Sequence, residues 1–180
     1  MPAAAMYHEL LHSDLKNSGY RQFTIGLVTN EQSLKLIELL SPIDNELQHH
    51  KMYKSFLAAG FRPERFYADI DRNSYRDLCH EVSSLYHSYG LSSYFLKFLT
   101  VIAPGGCGKA AKRQDARELI FSKCGANYQR ILEEVEQDIK EWALSPDNDQ
   151  SGVLFSILTK LGFSGAWVGR SKNFPTDGFL

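Results

Sequence analysis

The chain has 180 residues, 43% of them hydrophobic and 23% charged, enough to bury a core without disulfide or metal staples. Its 20 basic and 21 acidic residues nearly cancel, so no whole-chain charge footprint points to nucleic acid or to an anionic membrane. No run approaches the roughly 20 consecutive apolar residues of a membrane span, and MPAAAMYHELLH lacks a basic region followed by an apolar core; a cytoplasmic location is expected.

Read in chain order, the apolar spacing is helical almost throughout. A first helix carries HELLH at residues 8–12. RQFTIGLVT, residues 21–29, is a strand candidate, after which Thr29 or Asn30 can cap a helix through LKLIELL. Ser41-Pro42 reads as a cap followed by proline at the first helical position, which predicts a new helix from Pro42 through Ala58, closed by Gly60. Arg62-Pro63-Glu64 opens a short further helix.

NSYRDLCHEVSSLYHSYG, residues 73–90, places Tyr75, Leu78, Val82, Leu85, Tyr86 and Tyr89 on one stripe and ends at Gly90, a residue suited to helix termination. SYFLKFLTVIA, residues 93–103, is a short apolar run that can be strand or helix. KAAKRQDARELIFSK, residues 109–123, predicts a helix, and 126–143 predicts another with Tyr128, Ile131, Leu132, Val135, Ile139 and Trp142 on one face. SPDNDQSG, residues 145–152, is a loop; 151–162 predicts a late helix on Val153, Leu154, Ile157, Leu158 and Leu161. FSGAWVGR, residues 163–170, is a third strand candidate, and 171–180 is expected to be an irregular tail. The sum is an all-α single domain over residues 1–180, with seven or eight helices.

The chemistry-bearing residues cluster in a few places. On a helix, His8 and His12 share a face, and two histidines at this spacing with Glu9 between them form a zinc-binding pattern in which the glutamate serves a metal-bound water. Glu46 or Glu81 is the candidate third ligand for such a zinc hydrolase. The same residues also form two ExxH pairs, Glu9 with His12 and Glu46 with His49, the pattern of di-iron carboxylate bundles, with Glu81 and Glu118 as further candidates. His49 and His50 flank Lys51 on what reads as a polar, solvated helix face, and His80 and His87 read as ordinary helix histidines. Cys79, Cys107 and Cys124 are odd in number and form no CxxC, which predicts reduced thiols and neither a disulfide framework nor a cysteine zinc knuckle.

VIAPGGCGKAA, residues 101–111, is not a phosphate-binding P-loop, because Ala103 stands at its first glycine and Ala110 at its hydroxyl position. The amides from Gly105 to Gly108 can still hold an anion, and glycines also let a main chain touch a flat cofactor.

A histidine on the first helix, a gap of roughly a hundred residues and then a glycine-rich break resembles the layout of the heme oxygenase-like helical proteins. The resemblance implies heme as cofactor, with His8 as iron ligand and His12 as the second candidate. Gly105, Gly106 and Gly108 would lie against the distal face, and Lys109, Lys112 and Arg113 beside the propionates. It implies oxidative heme cleavage with an electron-donor protein as partner. A competing resemblance joins QFTIGLVTNEQSLKLIELL, APGGCGKAAK and FSILTKLGF to the GNAT acetyltransferases, with amides near Gly106 and Gly108 on the pyrophosphate of acetyl-coenzyme A. A helical interaction protein without cofactor is the non-enzymatic expectation.

Overall fold

In the computed structural model, the structure describes residues 3–20, 23–28, 31–66, 75–85, 90–105, 110–169 and 180. Among these, seven α-helices and one small sheet appear in the order α1 (Ala3–Asn17), β1 (Thr24–Val28), α2 (Glu31–Ala58), α3 (Tyr75–Ser83), α4 (Leu91–Ile102), α5 (Ala110–Lys123), α6 (Ala126–Leu144), α7 (Ser151–Lys160) and β2 (Ala166–Gly169). A single 3₁₀ turn, Pro63–Arg65, follows α2. The fold is all-α, as the apolar periodicity predicts.

The main core draws buried residues from all seven helices, Leu15 of α1 and Leu78 and Val82 of α3 among them. Leu36, Leu39, Ile43 and Leu47 of α2 meet Phe95 and Phe98 of α4, Ala116 and Ile120 of α5, Val135 and Ile139 of α6, and Leu154 and Ile157 of α7. The two outer strand candidates are strands: β1 and β2 pair antiparallel, Thr24 opposite Gly169 and Val28 opposite Ala166, with a bulge between Ile25 and Val28. Leu180 bonds back to this sheet, its N–H donating to the Ala166 carbonyl at 3.0 Å and its carbonyl accepting from Gly165 at 3.1 Å. The rest of the expected tail, 171–179, lies outside the described residues.

Two readings are corrected. Pro42 does not begin a helix; it sits inside α2, which runs unbroken from Glu31 to Ala58. Proline removes the bond to the carbonyl four residues back, but Glu38 and Pro42 both lie on the exposed face, where water can serve that carbonyl. On the opposite face the stripe Leu36–Leu39–Ile43–Leu47 passes straight through the proline position, so core packing holds the two halves as one helix. The run 93–103 is not a strand: it falls within α4 and its C-terminal cap, where Leu91, Tyr94, Phe95, Phe98 and Leu99 are buried at spacings of three and four.

A second, smaller cluster sits where α1 crosses α2. Ala4 and Leu11 of α1 pack on Met52 and Phe56 of α2 and on Phe66 just past the 3₁₀ turn, with Tyr7, Tyr53 and Phe61 against them. Beside this cluster α2 is also tied to α6: Lys51 Nζ donates to the Trp142 carbonyl at 2.8 Å and the Ser145 carbonyl at 2.7 Å. The same ammonium lies 4.5 Å from the centroid of the Trp142 ring. Lys51 thereby adds a charged donor at the C-terminus of α6, where the Trp142 carbonyl also accepts from the Ser145 N–H at 3.1 Å and hydroxyl at 2.8 Å.

Candidate metal centre

The buried face of α1 carries Ala4, Ala5, Leu11 and Leu15. His8 and His12 fall on the same stripe, one turn apart, so burying the apolar residues turns both rings toward α2. Glu9 and Leu10 are exposed, on the outer side of α1. On α2 the residues that reach back are Gln48 and His49, one turn before Met52 and two before Phe56 of the smaller cluster.

Here His8, His12 and His49 come together, with one ligand nitrogen from each within 4.8 Å of the others. His8 Nε2 and His12 Nε2 are 3.1 Å apart. In a tetrahedral zinc site, with metal–nitrogen bonds of about 2.0–2.1 Å, ligand nitrogens stand about 3.3 Å apart. The ring centroids of His8 and His12 lie 5.1 Å and 5.3 Å from that of His49. Phe66 forms the wall behind, its centroid 4.8 Å from His8 and 5.5 Å from His49.

Each ring has a distinct setting for its other nitrogen. His12 Nδ1 lies 2.9 Å from Gln48 Oε1, whose own amide nitrogen donates to Asp44 Oδ2 at 2.9 Å. His49 Nδ1 lies 3.4 Å from Glu46 Oε1. A carboxylate or carbonyl on Nδ1 fixes the proton there and leaves Nε2 for an ion. His8 Nδ1 is buried without a hydrogen bond of good geometry, although the Phe66 backbone lies near enough to favour the charged ring.

Burial, with His49 and His12 close by, pushes the His8 imidazole down to about 4. Burial likewise lowers His12, against the opposing hydrogen bond to Gln48. These two rings therefore sit neutral at pH 7, the state that binds metals.

The sequence-derived candidates divide. His8 and His12 are in the cluster, and Gly105 is one residue away from it: it takes φ +73°, and a Cβ there would meet the Pro63 carbonyl oxygen at 3.0 Å and Phe66 Cβ at 3.4 Å. The glycine segment thus starts against the back of the Phe66 wall. Gly106, Gly108 and Lys109 lie outside the described residues, as do Cys107 and His87. Lys112 is exposed, while Arg113 is close enough to Tyr53 to act on its hydroxyl.

The expected carboxylate ligands are not in the cluster. Glu81 pairs with Lys97, Glu118 accepts from Gln114 at 2.8 Å, and Glu9 is exposed. Glu46 stands behind His49 and outside the three nitrogens.

His49 itself overturns an expectation. The His49-His50 pair read as solvated, yet His49 is 2% exposed and burial pushes His50 down to about 4. The signal that finds His49 is its place three residues before Met52 and seven before Phe56, a helical stripe into the smaller cluster. Comparison of the chain with protein-family models, with curated proteins and with solved structures gives no match.

Proposed function

We propose that the protein is a metal-binding protein whose centre holds a zinc-class divalent ion on His8, His12 and His49. The observation that carries this reading is the meeting of three imidazole nitrogens within 4.8 Å, from two helices. The proton inventory supports it. With Gln48 holding a proton on His12 Nδ1, His12 Nε2 is an acceptor, so without an ion His8 must donate from Nε2 and leave a bare Nδ1 beside the Phe66 backbone. An ion at the centre lets His8 carry its proton on Nδ1, turned to that backbone, and satisfies all three rings.

Three neutral imidazoles leave the ion its full double charge, and imidazole suits zinc and its transition-metal neighbours. Three protein ligands are the pattern of a centre with a position left for water, where the metal brings the pKa of water to about 7. Half-buried His8 and His12 give that position access to solvent. Held on His8, His12 and His49, such an ion would supply Lewis-acid and water-activating chemistry, the class of metal-assisted hydrolysis. Glu9, on the outer side of α1, is not placed to act as its base.

Heme ligation by His8 is the alternative carried from the family resemblance. The turn of His8 Nε2 onto His12 favours a small ion, because a macrocycle needs open space in front of its ligand.

The test is a cobalt(II) titration of metal-stripped protein, followed by its visible ligand-field bands, beside elemental analysis of freshly purified material and a hemin titration. The expected result is one equivalent of tightly bound cobalt, lost in His49→Ala. A one-to-one Soret shift that His8→Ala abolishes and His49→Ala leaves intact would overturn the ion in favour of heme.

A further inference from the structure

Behind His12 runs a buried line of hydrogen bonds whose direction is fixed by one carboxylate. The Tyr20 hydroxyl donates to Asp44 at 2.8 Å to Oδ1 and 3.0 Å to the carbonyl. Gln48 Nε2 donates to Asp44 Oδ2 at 2.9 Å, and the side chain of Gln150, wholly buried at the start of α7, adds another hydrogen bond that works against the burial raising this carboxyl. The charged group that acts on Asp44 from α1 is Lys16.

A carboxylate met only by donors is an acceptor and nothing else. Gln48 must then present its NH₂ to Asp44, which aims Oε1, also an acceptor, at His12 Nδ1.

Resting on the three-histidine reading, we infer that Gln48, oriented by the half-buried Asp44, is a positioning residue that fixes the His12 proton on Nδ1 and keeps Nε2 open to the ion. Asp44 is also the nearest fixed negative charge on this line, so it compensates the dication through the Gln48 amide and the His12 ring without entering the coordination sphere. His49 has its own carboxylate in Glu46. A neutral amide stands between acid and ligand only at His12, and the orientation of that amide, not its charge, selects the tautomer.

Histidine tautomers are read directly by long-range ¹H–¹⁵N correlation in metal-stripped protein at pH 7. Wild type is expected to show His12 protonated on Nδ1. Gln48→Met fills a similar volume without an acceptor, so the proton moves to Nε2 and cobalt affinity falls about 10–100-fold. Gln48→Glu restores an acceptor: its carboxyl and Asp44 share one proton, the free oxygen faces His12, the proton stays on Nδ1 and cobalt affinity remains within a few-fold of wild type.

Retention of the Nδ1 proton and unchanged affinity in Gln48→Met overturns the inference, as does equal loss of affinity in both variants. If wild type takes up no cobalt, the metal reading fails, and the tautomer comparison between wild type and Gln48→Met still decides whether Gln48 positions the ring.

Discussion

Mild acid should destabilise the metal-stripped protein well before its carboxylates titrate, because it buries neutral imidazoles. His50 is held down to about 4 by burial, with Glu46 and Glu136 opposing and His49 and Lys140 reinforcing the shift; its Nε2 is buried without a partner. His8 is held down to about 4 as well. In the unfolded chain both return to about 6.5. A group depressed on folding contributes fully above its unfolded pKa and loses that contribution as pH falls toward the folded value, because the unfolded chain then binds more protons.

At pH 5 the linkage amounts to about 2 kcal/mol for His50 and, discounted for partial solvent screening, about 1 kcal/mol for His8. Asp44 works in the opposite sense, since burial raises its carboxyl and acid relieves that cost. The net expectation is a loss of about 2–3 kcal/mol between pH 7 and pH 5, read as the fall in urea midpoint at constant ionic strength with chelator present. His50→Leu should remove more than half of the pH dependence. A change under about 0.5 kcal/mol, or a dependence that His50→Leu leaves intact, would refute the reasoning.

The same substitution should have opposite signs at two glycines. Gly105→Ala combines a left-handed backbone with a Cβ 3.0 Å from the Pro63 carbonyl oxygen and should cost about 2–3 kcal/mol in urea unfolding. Gly152→Ala in α7, where a Cβ meets nothing within 4 Å, should stabilise by about 0.5–1 kcal/mol. Lys51→Met removes a charged donor from the Ser145 carbonyl and from the Trp142 carbonyl, which keeps its bonds from Ser145, and should cost about 1–2 kcal/mol. Hydrogen exchange should localise that loss to the α6 C-terminus.

What was legible in the sequence was set by periodicity. The 126–143 stripe is α6 to within a residue, and HELLH placed two ring ligands on one face of a helix before any partner was known. Local signals misled where tertiary packing outweighed them: Ser41-Pro42 has the form of a helix start, and only the stripe on the far side of α2 shows why the helix continues. The third histidine of the cluster was hidden for a related reason. His49 sits beside His50 and Lys51, and a run of polar residues on a long helix does not say which face α1 will cover. Its ExxH partner Glu46 reads from the sequence as a candidate ligand; in the structure it stands 3.4 Å from His49 Nδ1, outside the three nitrogens. Gln48 carries no motif at all, since its meaning depends on Asp44 one turn back and His12 on another helix.

Among the described residues α1 docks chiefly on α2, through the small aromatic cluster and the histidines. The His12–Gln48 contact joins positions 36 residues apart, so an ion shared by α1 and α2, as proposed, would be a removable clasp on a long chain loop. Its occupancy would set how often α1 peels away: tightly held when loaded, first to open when stripped. Through that clasp the supply of free metal would reach the chain as a lifetime, and α1 would be the segment that proteases meet first under metal starvation.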